Sequence, residues 1–165
     1  MKSMNTVEIG LMVVCFLQLL SIVVPSFLVS YLVDKGWGTR KDVSISIKLK
    51  DKHDKSWSVG VGALLIFAAY MISLVMTSNF MYIYTDKSVV NLLVFATQCK
   101  ASAIALGLIL IGFTLFRGSF IENQKSKVSN KLSKAISVIL MMFNVLLAVI
   151  LVSLLVLFIF GCITL

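Results

Sequence analysis

An all-α membrane protein is the fold this chain predicts: a four-transmembrane-helix bundle with a short strand-bearing basic loop between helices 1 and 2. Three observations predict it. Four continuous apolar stretches, at about residues 9–33, 58–84, 88–116 and 135–164, each exceed the roughly 20 residues that span a bilayer's hydrocarbon core. The segments between the first and second stretches and between the third and fourth, 34–57 and 117–134, are short and basic. In the first of these, residues 42–50 alternate polar with apolar. In hydrocarbon each backbone polar group must be satisfied within its own segment, so continuous apolar runs are helices, whereas a barrel needs alternating strands of about ten residues. Residues 1–165 read as one four-helix domain.

The first stretch follows Lys2 as a signal peptide would, but it is too long and lacks a small-x-small cleavage site, so it reads as a retained signal anchor. Pro25 lies well inside it and removes a backbone donor, which predicts a kink near residues 23–26. Beyond it, the period of two over 42–50, rich in β-branched residues, predicts a strand. A lone strand is unstable, so it needs a partner, either residues 118–121 or a strand of another protein.

The second and third stretches carry the small residues. Gly60, Gly62, Ala63, Ala68 and Ala69 fall in the second; Ala101 and Ala105, Ala103 and Gly107, then Gly112 fall in the third. Small-xxx-small spacing lets backbones approach, so these two helices are expected to form the tight core pair, joined by a hairpin at Asp86-Lys87. Residues 123–134 read as a basic amphipathic lead-in at the headgroups, with Lys127, Lys131 and Lys134 on one face. The fourth stretch is almost wholly Leu, Val, Ile, Met and Phe, a surface for lipid or for another membrane protein.

Charge gives an orientation. Loop 34–57 holds seven Lys or Arg, Lys48 and Lys50 among them, and 117–134 holds five more, against Lys2 and Lys87 on the other side. The positive-inside rule places both loops in the cytoplasm or its equivalent, with the termini and the hairpin opposite. The basic residues are not interleaved with aromatics and hug the membrane, which points to anionic lipid headgroups and away from nucleic acid.

Depth along each helix, at about 1.5 Å per residue from the basic side, puts Gln18 and Ser73 near 24 Å, Lys100 near 25 Å and Ser153 near 28 Å. One polar residue per helix thus defines an intramembrane layer. Lys100 is the costliest, and Glu8 on the same side is its expected ion-pair partner. Gln18, Gln98 and Asn144 are expected to hydrogen-bond across helices.

Catalytic and metal-binding patterns are missing. His53 is the only histidine, Cys15, Cys99 and Cys162 form no CxxC, and neither HExxH nor a Gly-rich phosphate loop occurs. The expectation is a non-enzymatic accessory or structural subunit of a larger membrane protein complex, without cofactor, partnered by other integral membrane subunits and lipid headgroups. One alternative is a homo-oligomeric channel or transporter component using the Gln18, Ser73 and Lys100 layer. The other rests on layout. In topology alone, four helices, a strand-bearing first loop and a short second one resemble claudin-like tetraspan proteins, which implies a scaffold at cell contacts, although only Gly36-Trp37-Gly38 stands where that family's first-loop motif would be. That family's Gly-Leu-Trp and paired loop cysteines have no counterpart in residues 34–57, and the charge rule puts this loop on the opposite side.

Overall fold

A computed structural model describes residues 5–38, 52–125 and 131–164, and the chain there is all-helical. The elements are α1 (Thr6–Gly38), α2 (Lys52–Ile83), α3 (Lys87–Lys125) and α4 (Lys131–Thr164). Each contains a span long and apolar enough to cross a membrane: Thr6–Leu32, Gly62–Ile83, Lys87–Arg117 and Ala135–Thr164.

The helices outrun the apolar stretches and continue into the basic segments, where lysine is itself a good helix former. Residues 118–121 therefore belong to α3 and are not a strand partner. No strand occurs among the described residues, and the whole alternating run 42–50 lies outside them, as do Lys48, Lys50 and Lys127. Helix α1 runs unbroken through Pro25.

Two starts are capped by their own sequence. The Asn5 N–H donates to Glu8 Oε2 at 2.8 Å, the carboxylate half of a capping box, and the Ile9 N–H donates to Asn5 O at 3.1 Å in the first backbone turn of α1. Asp86 caps α3 with its own side chain, accepting from the Ser88 N–H at 3.2 Å through Oδ1, and from the Val90 N–H at 3.0 Å through its carbonyl. Residues 84–86 make the turn between α2 and α3.

Side-chain pairs fix the register. Gln18 meets Lys100, Ser26 meets Gly107 and Ser30 meets Thr114, so α1 and α3 run parallel. Gln18 meets Met76 and Val29 meets Gly62, so α2 runs against α1. Phe95 meets Gly161 and Phe113 meets Phe143, so α4 runs against α3. The broadest contact is α1 with α3, not the expected α2 with α3; α2 and α4 flank this central pair and, among the described residues, do not touch each other.

Glycine makes three of these contacts. A Cβ on Gly62 would sit 2.6 Å from Val29 Cγ2, one on Gly107 would collide with Ser26 Oγ, and one on Gly161 would collide with the Phe95 ring. That ring stacks on Phe158 with centroids 6.1 Å apart, and Phe158 stacks in turn on Phe16 at 6.3 Å, clamping α4 between α3 and α1. The other small residues sit elsewhere. Ala101, Ala105 and Gly112 are exposed on α3, and a Cβ on Gly112 would meet nothing within 4 Å. Gly60 lies in α2.

Candidate functional site

Lys100 is the most consequential side chain in the bundle, because a flexible cation stands 1% exposed among apolar helices. Burying an ammonium costs several kcal/mol at least unless its protons find acceptors. Two helices supply them. The ammonium donates to Gln18 Oε1 on α1 and to Thr77 Oγ1 on α2 at 2.7 Å. The Thr77 hydroxyl donates its own hydrogen bond to the Ser73 carbonyl at 2.8 Å, so its lone pairs are free to accept from lysine. The Gln18 amide is oriented by a contact from Nε2 to Met76 Sδ at 3.6 Å. Cys15 lies fully buried one turn before Gln18 on α1. Three helices are thus joined at one nitrogen.

Of the expected polar layer, Gln18 and Lys100 come together and Ser73 lies one turn from Thr77, its Oγ buried with no partner. Ser153 stays apart. It is exposed on α4 and donates to its own helix at Val149 O, 2.8 Å away. The expected pairing of Lys100 with Glu8 does not form, because Glu8 lies ten residues before Gln18, about 15 Å along α1. Its carboxylate caps the helix start instead. Thr77, the acceptor that sequence reasoning missed, was signalled only by standing one turn from Ser73 on the same face.

A second polar cluster ties the other end of the central pair. Thr114 Oγ1 accepts from Ser30 Oγ at 2.8 Å and from Asn144 Nδ2 at 3.3 Å, and donates to Leu110 O at 2.8 Å. It links α1, α3 and α4 as Lys100 links α1, α2 and α3. Thr114→Val removes both interhelical acceptances and is expected to lower stability by about 1–2 kcal/mol in a detergent unfolding titration. An unchanged midpoint would show that Ser30 and Asn144 find other partners at no cost.

Gln98, expected to bond across helices within the chain, is exposed on the outward face of α3. Among the described residues no three His, Cys, Asp or Glu converge on a metal-sized site. No family model, curated protein or solved structure matches the chain.

Proposed function

We propose that this chain is a non-enzymatic, multi-pass integral membrane protein that acts through its outer surface, as a small accessory or structural subunit seated against other membrane proteins. One observation supports this most: nearly every polar side chain inside the bundle is engaged by another helix or by its own backbone, as Lys100 is by Gln18 and Thr77. The apolar residues that remain unpartnered point outward on all four helices, among them Leu64 and Ile72 on α2 and Met142 and Leu157 on α4. Water would not tolerate so much exposed hydrocarbon; lipid and neighbouring membrane helices would.

A homo-oligomeric pore lined by Lys100 draws less support, since the ammonium is turned into the bundle and already bonded. In the proposed orientation the basic segments, with Lys48, Lys50, Lys127, Lys131 and Lys134, lie at the inner face against anionic headgroups. A cysteine introduced at Ser46 is then expected to be protected from an impermeant thiol reagent on intact cells. Labelling at that position would reverse the orientation and favour a scaffold at cell contacts.

The function is tested by the native mass in mild detergent, with every co-purifying chain identified. A stoichiometric complex with larger, different subunits is the expected result. A lone monomer, or an assembly of this chain alone, would overturn the accessory role.

A further inference from the structure

We propose that Lys100 and Ser73 together hold one small anion, of halide size, inside the bundle. Such a site stands whether or not the chain is an accessory subunit. An ammonium has three protons to place. Gln18 Oε1 and Thr77 Oγ1 take two of them, and no acceptor among the described residues takes the third. Ser73 supplies the other half of the site. It is 2% exposed, and its Oγ has no hydrogen-bond partner. Buried hydroxyls are rarely left so, because each then carries the full cost of its lost hydration.

The two unspent donors are neighbours. Thr77 Oγ1 lies 2.7 Å from the ammonium and 2.8 Å from the carbonyl of Ser73 itself. The Ser73 side chain therefore stands about one helical turn, ~5.4 Å, from the cation. A single acceptor with a bond of about 3 Å to each group spans that interval. The antiparallel register that sets Thr77 against Lys100 brings Ser73 beside 103–104, where the fully buried Ala103 contributes only a methyl group.

Charge decides between water and an anion. Gln18 and Thr77 are neutral, and Lys100 is the only charged side chain buried among the described residues. Glu8 and Asp86 are committed to the starts of α1 and α3. Water would accept the remaining protons and leave a unit positive charge in a medium of low dielectric. An anion accepts them and cancels the charge.

The test is unfolding of the full chain in mild detergent, with chloride or bromide exchanged for gluconate at fixed pH, cation and ionic strength. Halide is expected to raise the unfolding midpoint saturably, and to have no saturable effect on Lys100→Met. Ser73→Ala should weaken the apparent halide affinity about ten-fold. Its effect on stability should also change sign with the salt. In gluconate the variant loses only an unpartnered hydroxyl and is at least as stable as the parent chain, whereas in saturating chloride it is the less stable. A midpoint indifferent to halide would overturn the anion and leave water as the group between Lys100 and Ser73. A halide effect that survives Lys100→Met, or a Ser73→Ala chain that is never the less stable, would overturn it too, by placing the ion elsewhere.

Discussion

Gln18→Leu combined with Thr77→Val is expected to destabilise the bundle by about 3–5 kcal/mol, more than removing Lys100 itself. The double change leaves an ammonium 1% exposed and takes away both of its acceptors. Lys100→Met removes the charge together with its needs. Thr77 still donates to the Ser73 carbonyl, so only Gln18 is left wanting, at about 1–2 kcal/mol. Adding Lys100→Met to the double variant should therefore recover most of the loss. Unfolding midpoints for the four proteins in one mild detergent decide the matter. If Lys100→Met alone proves the most damaging, the lysine is a net attraction between helices and not a cost that Gln18 and Thr77 offset.

Gly107→Leu should be nearly as severe, at about 3 kcal/mol, because it drives a side chain into the closest approach of α1 and α3. Even a single Cβ there would strike Ser26, which is fully buried and whose hydroxyl is held by a 2.7 Å bond to Ile22 O. Neither side can swing aside without parting the central pair. Gly10→Ala is the control, since a Cβ there meets nothing within 4 Å, and helix propensity should make that variant more stable by up to about 1 kcal/mol. A Gly107→Leu loss no larger than 0.5 kcal/mol, on the order of an ordinary surface change, would mean that α1 and α3 do not meet at this register.

Sequence read the four helices well because a run of 20 or more apolar residues has few physical outcomes. It read the packing poorly for the same reason. A helix apolar on every side carries no stripe to say which face meets which neighbour, so Ala101 and Ala105 were legible as contact residues without revealing that they face out of the bundle. Depth counting had the same blind spot: it fixes height along a helix and says nothing about angle around it. Gln18 and Lys100 share both and bond, whereas Ser153 shares only the height and faces away. Lys100 was conspicuous as a lone cation, but threonine seldom stands out, and Thr77 passed unnoticed one turn from Ser73.

The order of Gln18, Thr77 and Lys100 along the chain bears on how the protein is made. Synthesis proceeds from the N-terminus, so α1 and α2 emerge before α3 and bring both acceptors with them. When the lysine leaves the ribosome, the hairpin that must receive it has already been translated. The residue most expensive to strand in lipid is the last of the three to arrive, and its lodging does not wait for α4.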